Sequence, residues 1–241
     1  MDEKLIKLQE MLDTSENIIF FGGAGVSTES KIPDFRSDNG VYQQKQFRYP
    51  PEIMLSHEFY EEHTYDFFDF YVTMIYPDAK PNPAHIKLAQ WEKEGKLKAI
   101  VTQNIDGLHQ MAGSKNVFEL HGSVKRNYCT KCGAFYDESL ILENKGGIPY
   151  CKKCGSVVKP DVVLYGEGLD NDVINGAVHA IRHADMLIVG GTSLVVYPAA
   201  GLINYYHGDK LVLINRDSTS YDSKADLIIH DSIGKVFSQM K

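Results

Sequence analysis

Short runs of consecutive apolar residues recur along the chain, and each stops abruptly at small or polar residues. Residues 18–21 (IIFF) run into Gly22-Gly23-Ala24-Gly25-Val26-Ser27, and residues 97–101 into Thr102-Gln103-Asn104. Residues 117–120 stop at His121-Gly122, and residues 186–189 break at Gly190-Gly191-Thr192-Ser193. Residues 211–214 end in Asn215-Arg216-Asp217, and residues 227–229 precede His230-Asp231-Ser232. Runs this short and unbroken predict strands buried on both faces. A further run, 162–165 (VVLY), predicts a strand ending at Gly166-Glu167-Gly168. Helical spacing lies between them. Leu5, Leu8 and Leu12 predict an amphipathic first helix, and Asn82-Pro83 opens a helix that Gly95 stops. Leu108, Met111 and Ala112 form the apolar side of a short helix ended by Gly113. Asp170 or Asn171 caps one with Val173, Ala177, Ala180, Ile181 and Ala184 inward. Pro198 can open another, and Ile233, Val236 and Phe237 mark the last. Strands alternating with helices predict an α/β fold, a Rossmann-like parallel sheet with its ligand crevice beyond the strand ends.

Two stretches break this rhythm. Residues 39–81 are rich in aromatics, and Phe67, Phe68, Tyr71, Met74 and Ile75 recur at three- and four-residue spacing, so one amphipathic helix is expected there. Residues 123–158 carry all four cysteines, as Cys129-Thr-Lys-Cys132 and Cys151-Lys-Lys-Cys154, with 18 residues between the pairs. That spacing is a zinc ribbon's, and four thiolates close a tetrahedral site with no open position, so one structural ion is expected. The chain therefore divides into a Rossmann-like domain (1–38, 82–122 and 159–241), a helical module (39–81) and a smaller zinc-ribbon module (123–158).

The composition narrows the classes. The 241 residues carry a formal net charge of −7, which argues against a general binder of nucleic acid or anionic membranes. No apolar stretch reaches the length of a membrane span, and the first helix alternates charge where a signal peptide would be apolar. Cysteines grouped for metal suit a reducing, cytoplasmic setting.

The strand ends hold the candidate chemistry. A strand running into Gly23-Ala24-Gly25 suits a phosphate, although Thr28 stands where a third dinucleotide-binding glycine would be, and a tight structural turn is the alternative. Pro33 blocks a helix after this turn, and Asp34, Phe35 and Arg36 place an acid, an aromatic and a base in one loop. Gln103, Asn104 and Asp106 end one strand and His121 ends its neighbour; they form a site, or they cap loops and fill a core.

Taken together, GAGVSTES, IPDFRS, TQNIDGLH, LHG, the paired CxxC motifs, VVLYGE, GTSLVVYPAA and LINRD resemble the sirtuins, NAD-dependent protein-lysine deacylases, across almost the whole chain and in family order. The resemblance implies NAD as co-substrate, acetyl-lysine proteins or peptides as partners, and a monomer without nucleic-acid or membrane partners. It implies transfer of the acyl group to ADP-ribose, with nicotinamide released, His121 as general base on the ribose hydroxyls and Asn104 beside it. Gly23, Ala24, Gly25, Ser27, Asp34, Phe35 and Arg36 become the cofactor loop. Gln103, Asn104, Ile105 and Asp106 become the nicotinamide-ribose side, and Thr192, Ser193, Asn215, Arg216, Ser232 and Ile233 the adenosine side. Val163, Leu164, Tyr165, Gly166, Glu167 and Val195 become the acyl-lysine groove. Members that prefer succinyl or malonyl groups carry a Tyr and an Arg on the helical module; Phe68 and Tyr71 stand there here, so acetyl is expected over succinyl. Lys31 departs from the usual glycine. Mono-ADP-ribosyl transfer and a zinc-ribbon nucleic-acid module are the alternatives; a dehydrogenase is disfavoured by the PDFR loop.

Overall fold

The computed structural model describes residues 2–35, 40–41 and 48–241. Its main sheet is built from β1 (Ile18–Gly22), β2 (Leu97–Thr102), β3 (Val117–Glu119), β7 (Met186–Gly190), β8 (Leu211–Ile214) and β9 (Leu227–Ile229), all parallel, in the order β3-β2-β1-β7-β8-β9. Both faces are covered. Ile18 and Phe20 point into a core with α1 (Glu3–Asp13), α5 (Pro83–Lys93) and α9 (Ile233–Phe237). Ile19 and Phe21 point oppositely, into a core with α8 (Asn171–Arg182) and the turn Ala199–Tyr205. The period-two alternation along β1 thus feeds two cores at once. The strand order reverses between β1 and β7, whose last residues Gly22 and Gly190 lie side by side, and open α/β sheets hold ligands at such a switch point.

The second sheet is antiparallel: β4 (Gly122–Cys129) lies between β5 (Phe135–Tyr136) and β6 (Val158–Val162), with α7 (Ser139–Glu143) beside them. It reaches beyond 123–158 at both ends. The strand expected at 162–165 is displaced: β6 stops at Val162, and the next residues find other partners. The Val163 N–H donates to His121 O, the Leu164 N–H to Glu167 Oε2, and Tyr165 exchanges backbone bonds with Leu55 and His57.

Among the described residues, the single helix expected in the helical module is instead three short ones, α2 (Pro51–Met54), α3 (His57–Glu62) and α4 (Thr64–Tyr71). Ser56 accepts from the Phe59 N–H and starts α3 afresh, and α4 begins again after His63. Ile75 follows α4 in extended backbone and Met74 ends a 3-10 turn, so the aromatic spacing marks a shared core, not one helix. On α6 (Leu108–Ala112), Leu108 is buried but Met111 is 47% exposed, because only five residues are helical and the expected stripe does not develop. After β1, 3-10 turns at Ala24–Val26 and Thr28–Ser30 take the place of a helix start.

Candidate active site

One crevice of about 480 Å³ opens beyond the ends of β1, β2 and β7 and continues between the main sheet and the helical module. The glycine turn forms its floor. The Gly23 N–H donates to Gly190 O (3.3 Å) and the Gly25 N–H to Gly191 O (2.8 Å). A Cβ at Gly25 would stand 2.7 Å from Gly191 Cα, and one at Gly23 would stand 2.8 Å from Thr192 Cβ. These glycines therefore serve close packing of two strand-end loops and do not offer their own N–H groups to a ligand. Ala24, Ser27 and Thr28 line the crevice beside them.

Above this floor a chain of hydrogen bonds orders the polar residues. Asn104 Nδ2 donates to Ser27 Oγ (3.1 Å), and Ser27 Oγ donates to Asp106 Oδ2 (2.7 Å). Asp106 Oδ1 accepts the Leu108 N–H at the start of α6. Burial raises the Asp106 pKa, against the Leu108 and Ser27 hydrogen bonds and the nearby Lys125. Gln103 Nε2 donates to Thr192 Oγ1 (3.0 Å), and the Thr192 backbone N–H donates to Asn215 Oδ1 (2.9 Å), so the ends of β2, β7 and β8 are tied together through Thr192.

His121 sits where β3 gives way to β4. Its Nδ1 lies 3.0 Å from Gln103 O. A carbonyl only accepts, so Nδ1 carries the proton and Nε2 keeps its lone pair. Burial lowers the His121 pKa, and the bond to Gln103 opposes that in part. The result is a neutral imidazole in a fixed tautomer at the crevice wall, ready to take a proton.

Most residues expected at the site line this crevice: Gly23, Ala24, Gly25, Ser27, Asp34, Phe35, residues 103–106, His121, residues 163–167, Thr192, Ser193, Asn215, Arg216, Ser232 and Ile233. Arg36 lies outside the described residues. Val195 is 54% exposed and does not line the crevice, although its neighbour Val196 does, because Leu194 turns inward and Val195 turns out. Phe68 is buried in the module's core and is absent from the wall, whereas Tyr71 is part of it. Ile32, Leu55, Ile75 and Lys125 also line it and were not singled out. Leu55 gave no local signal and Ile75 was read only as part of an apolar stripe, since the chain folds back to bring them there.

The residues fit a dinucleotide. The wall passes from polar groups at the strand ends to apolar side chains of the helical module, and Asn215 Nδ2 is buried with no hydrogen-bond partner among the described residues. Buried donors are normally satisfied, so that amide is suited to a ligand acceptor. At the far end of the molecule Cys129, Cys132, Cys151 and Cys154 bring their sulfurs within 4.8 Å of one another. Cys129–Cys154 and Cys132–Cys151 are 3.4 and 3.6 Å apart. Tetrahedral Zn–S bonds of ~2.3 Å imply sulfurs about 3.8 Å apart, so the four cysteines are positioned to bind one structural zinc.

A doubly wound sheet with a polar crevice at its switch point, joined to a four-cysteine ribbon, defines a nucleotide-binding α/β protein carrying a metal module. A profile of the Sir2 family matches residues 23–198, and the chain belongs to that family. It is 65% identical to an NAD-dependent protein deacetylase of Clostridium perfringens, covering 100% of this chain and 99% of that one. It is 51% identical to one of Cutibacterium acnes, covering 98% and 96%. Among solved structures, a Sir2 protein with deacetylated p53 peptide and 3'-O-acetyl ADP ribose superposes with a TM-score of 0.89 at 36% identity, covering 97% of this chain and 96% of that one. A Sir2–p53 peptide–NAD+ complex gives 0.84 at 38%, covering 97% and 95%.

Proposed function

We propose that the protein is an NAD-dependent protein-lysine deacetylase, which converts acetyl-lysine, NAD and water to lysine, nicotinamide and O-acetyl-ADP-ribose. The observation that carries this reading is His121, neutral and held by Gln103 O in the tautomer that leaves Nε2 basic, in one crevice with Asn104 and Asp106. NAD supplies an activated glycosidic bond, and the ribose hydroxyls receive the acyl group. The protein's own groups do the rest. Ser27, Asn104 and Asp106 orient the nicotinamide end through their hydrogen-bond chain. Gln103, Thr192 and Asn215 form the ribose and adenosine side, with Ser193, Arg216, Ser232 and Ile233 beyond them. His121 Nε2 takes a proton from a ribose hydroxyl, near the working pH of an imidazole. Phe35 shields the reacting centre from water. Arg36 belongs to the same loop by sequence.

The substrate peptide adds as an extended strand. Tyr165 already exchanges backbone bonds with Leu55 and His57, the Glu167 N–H donates to Leu164 O and the Val196 carbonyl accepts from Ala200, so pairing falls to Gly166 and the Glu167 carbonyl on one side and to Val195 and the Val196 N–H on the other. The acyl chain lies against Leu55, Tyr71, Ile75 and Leu164. With no arginine at the two module positions, an acidic acyl group would be buried unpaired, which disfavours succinyl-lysine. The three-part division, with the parallel sheet as NAD-binding domain and the helical and zinc-ribbon modules beside it, belongs to this reading, as do a cytoplasmic location and a monomer. No helix among the described residues is long and apolar enough to cross a membrane.

Mass spectrometry of purified protein with NAD and acetyl- or succinyl-lysine peptide, each omitted in turn, tests the reading. Deacetylated peptide, nicotinamide and O-acetyl-ADP-ribose should appear together, and only with both substrates. Nicotinamide with an ADP-ribosylated protein and no deacetylation would point to transferase activity; equal acetyl and succinyl rates would refute the acyl preference.

A further inference from the structure

The loop that floors the crevice has a backbone defect. In its successive 3-10 turns the carbonyls of Gly23, Ala24, Ser27 and Thr28 each accept a backbone N–H, but the Val26 carbonyl accepts none among the described residues. A continuous helix would have satisfied it from within. The partner comes from another element: Asn82 Nδ2 donates to Val26 O (2.7 Å) and to Ser30 Oγ (3.0 Å). Asn82 is only 5% exposed, and it does not line the crevice. Its Oδ1 is engaged separately, accepting the Ala84 N–H as the cap of α5. The side chain is therefore divided by chemistry. The acceptor half starts a helix, and the donor half clamps the loop on both sides of Ser27 and Thr28, which do line the crevice.

The clamp is itself held from behind. The Asn82 N–H lies 3.3 Å from His85 Nδ1, which fixes the cap in a reciprocal box. His85 is fully buried against His109 of α6, with ring centroids 4.7 Å apart. The same α6 begins at the Leu108 N–H that Asp106 accepts. The two halves of the nicotinamide end, Ser27 on the loop and Asp106 before α6, are thus braced through one packed pair of helices.

We propose that Asn82 is a positioning residue for NAD: through Val26 and Ser30 it holds Ser27 and Thr28 where the dinucleotide needs them, independently of its role as a helix cap. This rests on the deacetylase reading above. The prediction separates the two roles. Ser and Asp both cap helices well, so Asn82→Ser and Asn82→Asp keep α5 started. Neither can supply the two N–H donors, and Asp adds a charge facing the Val26 carbonyl.

The experiment measures ADP-ribose and NAD affinity by calorimetry, the KM for NAD and for acetyl peptide, and the melting temperature, for wild type and both variants. Loss of two buried hydrogen bonds corresponds to roughly a ten-fold weaker dinucleotide affinity for Asn82→Ser, with a greater loss for Asn82→Asp, an unchanged peptide KM, and melting within a few degrees of wild type. Asn82→Ala, which loses cap and clamp together, should weaken NAD no more than Asn82→Ser does but melt lower. Dinucleotide affinity equal to wild type in both capping variants would overturn the proposal, as would a parallel loss of NAD and peptide affinity tracking the melting temperature. Wild type that binds NAD without deacetylating refutes the deacetylase reading and leaves the clamp to be judged on the affinities alone; wild type that binds no dinucleotide overturns both.

Discussion

At the scale of single residues, the proposed chemistry rests on His121. Removing its imidazole in His121→Ala takes away the proton acceptor but not the strand junction that carries it. Turnover should fall by at least 100-fold, the usual contribution of a general base, while NAD affinity and the far-ultraviolet spectrum stay close to wild type. Because burial holds the His121 pKa below its ordinary 6.5, the basic form persists into mild acid. The acid limb of kcat/KM should therefore lie below pH 6.5, and a limb above it would remove His121 as the group observed. Lys31 makes a different point. It adopts φ 65°, ψ 21°, a left-handed conformation, while its side chain is exposed. Glycine, expected there from the resemblance to the sirtuins, enters this region without a Cβ clash. Lys31→Gly should be neutral or stabilising by up to about 1 kcal/mol, since relief of the clash is partly offset by glycine's freedom in the unfolded chain. Lys31→Val should cost about 1–2 kcal/mol, because a β-branched residue tolerates this region worst. Thermal melts of the two variants check both signs.

Among elements, the zinc ribbon and the helical module are less separate than their sequences imply. Ile141 of α7 and Val162 of β6 belong to the same apolar cluster as Phe67, Phe68 and Tyr71 of α4, and Val124 and Leu164 of that cluster line the crevice. Arg126 of β4 pairs with Glu119 at the end of β3 (2.5 Å) and with Asp161 of β6 (2.6 Å), which ties the second sheet to the edge of the first. Loss of the metal should therefore be felt in the acyl-lysine groove. Structural zinc contributes directly to folding, so a chelator, or Cys129→Ala, should lower the melting temperature and weaken acetyl-peptide binding. The check is zinc content by elemental analysis alongside peptide affinity. Full peptide affinity in metal-free protein would show that the shared core does not depend on the ribbon.

For the molecule as a whole, the buried histidine pair between α5 and α6 should contribute to the response to acid. Burial lowers His85 to about 4 and His109 to about 3, the latter with a smaller contribution from His85 beside it. In the unfolded chain both titrate near 6.5. Between these values the unfolded state binds more protons than the folded one, so stability falls as pH drops below 6.5 and stops falling from this source only below about 3. The His85 shift alone corresponds to on the order of 3 kcal/mol. Denaturant melts at pH 7.5, 6 and 5 should show midpoints moving down together with pH. Replacing His109 with Phe, which removes one of the two titrating groups and leaves His85, should make that dependence shallower; an equally steep dependence in this variant would exclude His109 as a source.

The strands of the main sheet, the cysteine site and the grouping of Gln103, Asn104, Asp106 and His121 were legible in the chain alone. Their signals are local: an apolar run, a CxxC spacing, or a polar residue at a strand end depends only on near neighbours and on backbone periodicity. Three features were decided by tertiary contact. Residues 163–165 left the strand pattern because His121 O, Glu167 and Leu55 offered their backbone other partners. The aromatic spacing of residues 67–75 became short helices around a common core, since aromatic rings pack by mutual geometry and do not require one continuous stripe. The glycines after β1 turned out to accommodate Gly191 and Thr192, a contact between loops more than 160 residues apart. Sequence by itself determined which segments form the sheet and which chemistry stands at its edge, because those follow from neighbouring residues. Which backbone groups at the strand ends are already engaged, and that Asn82 bonds Val26 and Ser30 in the turns after β1, depended on packing between distant segments and only the folded chain could decide it.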